Sequence, residues 1–595
     1  MNINKKALVL LLVSCSLIYG ESESQRNIDQ SIQVKEQEQQ RIEQEKKLQE
    51  LENSQNIINE KKVDAPVVES EGPKFLINEI KILDKKRLLS KYQKKKILKK
   101  YQGRELSSKD LTLLLTDLTN QVITNSYITS SVNISEGNDL STGVLNLEVV
   151  PGTIENVVIN DGKINDKYKE FFMFGTNRGD VLSIRKIDTV TENFNLLRSN
   201  DAKITIEAGS KKDTSVVKVS NTMKDRVVLS FKGNNFGQTE QSGIWRYGIG
   251  LNVESPLGMG DNLNLSYVRV DKRTPDRSWR KKINELAPGE ILENTPKGWD
   301  VNEKLPYQRR TDLIDIAYTI PIKTYRLSFA SNTSLNNGSI YAFNTVFDTI
   351  NTTRQLSFGI DKILYRNQKS KIMLNLNFTR KHTESYFEDA ELTNRKLSVG
   401  SVGLSYSTVV FKGLLNTSLS YQRGTKLWSA EKDDNKTEKN SKSEYQKYNF
   451  NLSYYKPLTK KIALRFNTTA STSKDVLYGS EKQTIGGPSD IGGYNRSTLA
   501  GDNGIDMSAE LSYTIPIFKR WGQASFYTSY AYGAITNNYD ESKYGHGFMS
   551  GLITGLRYNS KFLDFDVSYG KPDNYSEYLN PKEELYFTGA FKITF

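Results

Sequence analysis

The sequence predicts a membrane β-barrel of about sixteen antiparallel strands, led by two small α+β units and an N-terminal helix. The first observation is alternation. From about residue 225 to Phe595, apolar and polar residues take turns, as in Ile372, Leu374, Leu376 and Phe378 against Met373, Asn375, Asn377 and Thr379. A period of two sends these sets to opposite faces of a sheet, one suited to lipid and one to water. Secondly, the chain is only 37% hydrophobic. No segment after the first twenty residues approaches the roughly 18 consecutive apolar residues of a spanning helix, whereas a closed barrel exposes only half of each strand to lipid. Thirdly, short turns such as Phe411-Lys412-Gly413 and Lys456 to Lys461 alternate with long, charged, Asn- and Lys-rich connections. That asymmetry belongs to outer-membrane barrels; a soluble sandwich carries tight turns at both ends.

Met1 to Gly20 holds Lys5 and Lys6, an apolar run from Ala7 to Ser14, and then small residues, and reads as a secretory signal. The single cysteine, Cys15, lies inside it, so no disulfide framework is expected. Leu12-Val13-Ser14-Cys15 also fits a lipoprotein pattern, but the apolar run continues through Leu17, Ile18 and Tyr19 towards an ordinary cleavage near Gly20. Residues 21–72 read as a helix and linker. Glu21 to Lys62 is Gln- and Glu-rich without Gly or Pro, and its apolar residues are too sparse for a heptad seam. About forty residues at 1.5 Å each reach roughly 55–60 Å, enough to thread a wide lumen as a plug. Pro66 and Gly72-Pro73 mark the linker.

Two compact mixed units follow, at 73–151 and 152–222. In the first, a strand is expected at Phe75–Leu83, helices at Lys85–Lys100 and Ser108–Thr124, and strands at Ser130–Ser135 and Val144–Val150. In the second, a strand at Thr153–Asn160 and a helix at Ile184–Arg198 precede strands at Lys203–Ala208 and Ser215–Val219. Residues 223–595 form the barrel, with strands expected at 227–235, 243–253, 262–271, 311–321, 325–336, 352–363, 371–382, 395–410, 413–424, 445–455, 461–472, 505–516, 522–536, 546–558, 562–570 and 584–595. An even count returns both barrel ends to the same side of the membrane.

The formal net charge is +13. Export and the lack of a nucleic-acid motif make the Lys94–Lys100 run a solvated helix face and exclude nucleic acid as a partner. His382 and His546 lie far apart without a second ligand at metal spacing, so no metal site is expected. No nucleophile, base and orienter recur together, and no P-loop is present, so neither an enzyme nor a cofactor is expected.

The order of parts resembles the two-partner secretion transporters, the TpsB family, over nearly the whole chain after the signal. Leu182, Arg185 and Asp188, followed by Asn195 and Leu196, resemble the family's second polypeptide-transport-associated (POTRA) domain. Pro256, Gly258, Gly260 and Asp261 resemble its first periplasmic turn, where glycines allow positive φ and Asp261 caps. Phe587, Phe591 and Phe595 resemble its barrel-closing strand. The most specific match is Ile485-Gly486-Gly487-Pro488-Ser489-Asp490-Ile491-Gly492-Gly493-Tyr494, continuing to Gly501-Asp502-Asn503-Gly504, which resembles the sixth extracellular loop that folds into the lumen. The family pattern carries an arginine where this chain has Gly492, and often an aspartate where it has Ala531. Loss of both charges together is coherent, since either alone would be unpaired in a partly desolvated site. Arg496 is a candidate substitute, with Glu510 as its acid.

The resemblance implies an outer-membrane pore that exports a large partner protein of the TpsA type, haemolysin or adhesin, by two-partner (type V) secretion. Its periplasmic POTRA domains capture cargo, outer-membrane lipid and lipopolysaccharide surround it, and barrel-assembly machinery and periplasmic chaperones assist its biogenesis. A barrel-assembly insertase of the same superfamily is the alternative, which a longer POTRA array would favour. A diffusive porin or surface adhesin would have no use for Phe75–Val219.

Overall fold

The computed structural model describes residues 63–64, 73–160, 171–174, 178–237, 244–271, 310–342, 345–367, 369–488, 490–494, 497–515, 522–540, 542 and 544–595. The signal at 1–20, the helix at 21–62 and Arg496 lie outside them.

In the first module the expected strand Phe75–Leu83 is divided. β1 (Phe75–Ile77) pairs with β3 (Arg104–Leu106), whereas β2 (Glu79–Leu83) joins β5 (Val144–Val150) and β4 (Ser131–Ile134) in a second sheet. The break falls at Asn78, where the Asn78 and Glu79 N–H groups both donate to Gly143 O. The first helix runs only Lys91–Leu98. Upstream of it, the Asp84 carboxylate accepts from the Leu88 and Leu89 N–H groups, holding a turn, and Ser90 with Gln93 forms the capping box that starts the helix. Helix Ser108–Thr124 buries Leu114, Leu118 and Val122 against Ile77, Leu145 and Leu147.

The second module orders β6 (Thr153–Ile159), β8 (Thr214–Met223) and β7 (Asn200–Ala208) into one sheet under helix Ile184–Asn195. The helix stops short of the expected Arg198 because Asn195 turns its amide onto β7, accepting from Ala202 N–H at 2.8 Å and donating to Ala202 O at 3.0 Å.

The barrel begins with β9 (Val227–Asn234), β10 (Arg246–Glu254), β11 (Asn262–Asp271), β12 (Arg310–Ile322) and β13 (Tyr325–Ala342). It continues through β14 (Thr345–Arg366), β15 (Ser370–Phe387), β16 (Ala390–Val410), β17 (Gly413–Thr425), β18 (Gln446–Pro457) and β19 (Ile462–Ser473). Two short strands, β20 (Gln483–Ile485) and β21 (Leu499–Gly501), pair with each other apart from the wall. β22 (Asn503–Ile515), β23 (Gln523–Thr536), β24 (His546–Asn559), β25 (Leu563–Tyr575) and β26 (Glu584–Thr594) complete a closed ring of sixteen antiparallel strands. β13 to β16 run 18, 22, 18 and 21 residues. A membrane crossing needs about 9–11, so these hairpins project beyond the bilayer opposite the POTRA side. The expected strands stopped short of these ends, because main-chain pairing carries a ribbon on past the membrane, where lipid no longer enforces an apolar face.

Closure is a matter of main-chain bonding. Phe595 N–H donates to Val227 O at 2.8 Å and Val227 N–H to Phe595 O at 3.1 Å, so the last residue seals the seam with the first strand. Phe591 lies opposite Phe231 across the seam, and Phe587 meets Trp245 edge-on at 6.2 Å. Deletion of Phe595 is expected to lower the heat-modifiable barrel in the outer membrane without changing export to the periplasm. Unchanged barrel levels on semi-native gels would contradict this.

Candidate transport pathway

Two places on the barrel are built with unusual density: the periplasmic rim, where the second module docks, and the lumen, where a loop folds in. At the rim, Leu182 is fully buried in the module core and Leu196 caps the helix by donating its N–H to Glu192 O. The turn Ser255–Asp261 inserts beneath this helix. Gly258 and Gly260 take φ of 73° and 74°, and the buried Asp261 carboxylate accepts from Leu257 and Met259 N–H groups and from the Tyr318 hydroxyl. Met259 thereby enters the apolar core of Ile187, Val190 and Phe194, while Pro256 stays exposed. A Cβ on Gly260 would lie 2.7 Å from Asn193 O, so close approach as well as φ selects glycine here.

Sequence reasoning singled out Arg185 and Asp188 here but missed the three charges that make the dock, Glu192, Arg366 and Lys371. Glu192 is buried on the helix and is held by Arg366 of β14 and by Lys371 of β15, the latter at 2.6 Å. Burial would raise its carboxyl, but the Lys371 and Arg366 charges outweigh that and hold it at about 2. One turn back, burial pushes Asp188 up to about 6, only partly opposed by Arg366 and by Arg185, whose guanidinium lies 3.4 Å away. A carboxyl raised in the fold favours folding while protonated, and that contribution is lost as pH rises from its ordinary value near 3.8 through about 6. The second module is therefore expected to melt at lower temperature at pH 8 than at pH 5, and Asp188→Asn should flatten this dependence. Calorimetry of the full chain in detergent reads both.

The lumen loop runs from the end of β19 to the start of β22 and holds two anchors. At the first, Glu481 is buried, 3.1 Å from Lys381 Nζ of β15, and accepts the Tyr445 hydroxyl at 2.6 Å; Lys447 of β18 donates to its backbone oxygen at 2.7 Å. At the second, Ile485, Ile491 and Tyr494 are fully buried with Ala531, Ile535 and Met549 of the wall. Tyr494 donates its hydroxyl to Ser550 O at 2.9 Å, and Gly493 N–H donates to the Tyr586 hydroxyl at 2.9 Å. Counted from β9, β15 is the seventh strand and β25, which packs on Gly493, the fifteenth, eight apart in a ring of sixteen. The loop thus spans the lumen from wall to opposite wall.

Gly492 and Ala531, where the family pattern has charges, lie in this apolar contact. A Cβ at Gly492 would sit 2.5 Å from Leu552 O, and Ala531 is buried among Ile491's neighbours. Gly493, at φ 90°, is pressed against Pro572. Gly486 and Gly487, also at positive φ, form the bend that Asp490 closes by accepting Gly486 N–H at 2.8 Å. Asp502, fully buried, ties the loop's return to the wall by accepting from Leu477 and Asn538 N–H groups, each at 2.8 Å. Gly501 and Gly504 flank it against Ile535. Glu510 is already engaged by Arg465 at 3.8 Å and Arg557 at 3.5 Å, so it is not an acid left waiting for Arg496. The Glu481 anchor had no sequence signal: its lysines, tyrosine and carboxylate come from three separate stretches.

A closed sixteen-strand barrel with two periplasmic α+β modules and a loop crossing its lumen defines an outer-membrane transporter. The chain belongs to the haemolysin secretion/activation family ShlB/FhaC/HecB, matched over residues 213–558, with a ShlB-type POTRA domain at 75–152 and a second POTRA domain at 153–208. It is similar to the outer membrane transporter CdiB of Dickeya dadantii, 26% identical over 86% of this chain and 85% of that one. To the haemolysin transporter protein ShlB of Serratia marcescens it is 25% identical, covering 82% and 81%. The solved structure of CdiB from Escherichia coli superposes with a TM-score of 0.80 at 22% identity, covering 95% of this chain and 98% of that one, and shares the fold. The protein is thus a two-partner secretion transporter of the outer membrane, with its POTRA domains in the periplasm.

Proposed function

We propose that the protein captures one large exoprotein of haemolysin or adhesin type at its POTRA domains and passes it, extended, through the barrel lumen to the cell surface. The observation that carries this is the continuity of the path. The second POTRA module is bolted to the periplasmic rim through Glu192, Arg366, Lys371 and the Ser255–Asp261 turn, below a lumen crossed by the loop between β19 and β22. The edge strands of the two modules, β2 and β4 in one and β6 and β7 in the other, suit capture of an extended chain by strand addition. The transporter acts without chemistry of its own: the sequence carries no energy-coupling motif, and folding of cargo outside supplies the bias.

In this reading the motif residues divide the work. Leu182, Arg185, Asp188, Asn195 and Leu196 hold the docked module, Pro256 to Asp261 hold its seat, and Gly486 to Tyr494 with Gly501, Asp502 and Gly504 hold the lumen loop. Residues 21–62 plug the resting pore. Removing them is expected to raise resting conductance in planar bilayers while secretion continues; unchanged conductance would place that segment elsewhere. The function itself is tested by looking for a large exported protein encoded beside the gene and following its export. Loss of the transporter should leave that protein in the periplasm while other outer-membrane proteins stay at normal levels. A general fall in outer-membrane barrels with cargo export intact would favour an assembly insertase instead.

A further inference from the structure

The outer wall of β14 to β17 carries a second feature that the transport path does not use. On β15, Lys381 reaches inward to Ser480 O of the lumen loop at 3.3 Å, so the alternate residues Leu376, Phe378, Arg380 and His382 face outward. On β14, Thr353 meets the Thr383 hydroxyl in the buried interior at 3.3 Å, which turns Phe358 and Arg354 outward. On β16, Arg395 lies inside, 4.5 Å over the Tyr478 ring, so Lys396 and Gly400 face out.

Two adjoining surfaces result. Phe358, Ile360, Leu376, Phe378, Val402 and Tyr421 line an apolar groove of about 420 Å³ whose floor is open at Gly400, where a Cβ would meet nothing within 4 Å. Trp428 packs edge-on against Phe378 of this lining at 4.7 Å. Just beyond, on the side away from the periplasmic turns, stand four basic residues. His382 lies opposite Arg354 on one neighbouring strand and opposite Lys396 on the other, and Arg380 is two residues below, while Arg423 lies beside the groove itself, opposite Gly400. Directly opposed side chains in a sheet are about 5 Å apart, so these groups converge on one ligand-sized area. Glu384, 3.5 Å from His382, is the carboxylate among them and leaves the patch positive.

β15 starts at Ser370, and a crossing takes about 9–11 residues, which brings Arg380 and His382 to the far face of the bilayer. A greasy slot running into a cationic cluster there matches an acyl chain joined to a phosphate. We propose that this wall is a binding site for a phosphorylated, acylated lipid of the outer leaflet, the chemistry of lipopolysaccharide. Its acyl chain lies in the groove over Gly400, and its phosphate is held by Arg354, Arg380 and Lys396, where guanidinium forks suit phosphate oxygens. Such a lipid holds the projecting β13–β16 hairpins at a fixed height in the membrane. The site makes no demand on cargo, so it stands or falls separately from the transport reading.

The test uses the full chain purified in detergent with a chelator, titrated in separate arms with lipopolysaccharide, phosphatidylethanolamine and inorganic phosphate. Lipid phosphate retained after washing and the barrel's heat-modifiability are the readouts. Lipopolysaccharide should be retained and should raise the temperature of barrel unfolding, whereas the other two should do neither. The triple variant Arg354→Ala, Arg380→Ala, Lys396→Ala should bind at least about tenfold more weakly, given the contribution of each basic residue near an anionic lipid surface. Gly400→Phe, which fills the groove without displacing the wall, should weaken binding on its own while the barrel stays folded. Retention of lipopolysaccharide by both variants at the parent's level would overturn the proposal. So would equal retention of phosphatidylethanolamine, or equal stabilisation by inorganic phosphate.

Discussion

Putting arginine at Gly492, the residue found there in the family pattern, is expected to damage secretion rather than improve it. The loop tip approaches the wall so closely that a Cβ at Gly492 would meet Leu552 O at 2.5 Å and Gly570 Cα at 3.1 Å. A guanidinium would also enter a cluster of Ile485, Ile491, Tyr494 and Met549 with Ala531 where an acid would be needed. Adding Ala531→Asp supplies the acid but not the space, so the double variant should remain defective. Gly493→Val should be as severe. Positive φ strains a β-branched residue by about 1–3 kcal/mol, and a Cβ would lie 2.4 Å from the Pro572 ring, adding a further 1–3 kcal/mol or so of overpacking. Cargo in the medium at matched barrel levels is the measurement. Full secretion by Gly492→Arg with Ala531→Asp would show that a charged tip can replace the apolar one.

Glu192→Ala is expected to loosen the second POTRA module from the barrel. It leaves Arg366 and Lys371, whose side chains are each only 9% exposed, without the anion they share, with only Asp188 one turn back acting on Arg366. Breaking a buried pair by removing one partner costs about 3–5 kcal/mol, whereas removing all the charges together is far milder. The triple change of Glu192, Arg366 and Lys371 to methionine should therefore keep the module docked better than the single change. Protease sensitivity between Met223 and Val227 reads the docking. The pH dependence has a definite sign: a carboxyl held at about 2 stabilises the dock above its ordinary value of 4.5, and that contribution is lost as pH falls through about 2. Acid should thus release the module of the parent but have little further effect on Glu192→Ala.

The barrel strands could be read from sequence because one face of every crossing meets lipid and the other meets water. A period-two pattern in Ile372–Thr379 or Tyr448–Tyr454 follows from that alone. Gly258, Gly260, Gly486, Gly487 and Gly493 were equally plain, since only glycine takes those backbone angles without strain, whereas Gly492 is selected by the close approach of the wall. Helix and strand ends were harder. Ser90, not Lys85, starts the first helix because Asp84 spends its carboxylate on a turn, a choice settled by competing hydrogen bonds within a few residues. Past the membrane, as at the tops of β13 to β16, no lipid enforces an apolar face, and main-chain pairing continues without that signal.

By itself the sequence determined the class of fold, the order of its parts and the positions that must be glycine, because those follow from solvent periodicity and from backbone sterics, both local. Only the tertiary structure decided which charges meet. Glu192 joins Arg366 and Lys371 across more than 170 residues, and Glu481 joins Lys381 and Tyr445 from separate walls. It also decided that Glu510 belongs to Arg465 and Arg557. A carboxylate's partner is set by distance in space after the ring has closed, and no pattern along the chain encodes that distance.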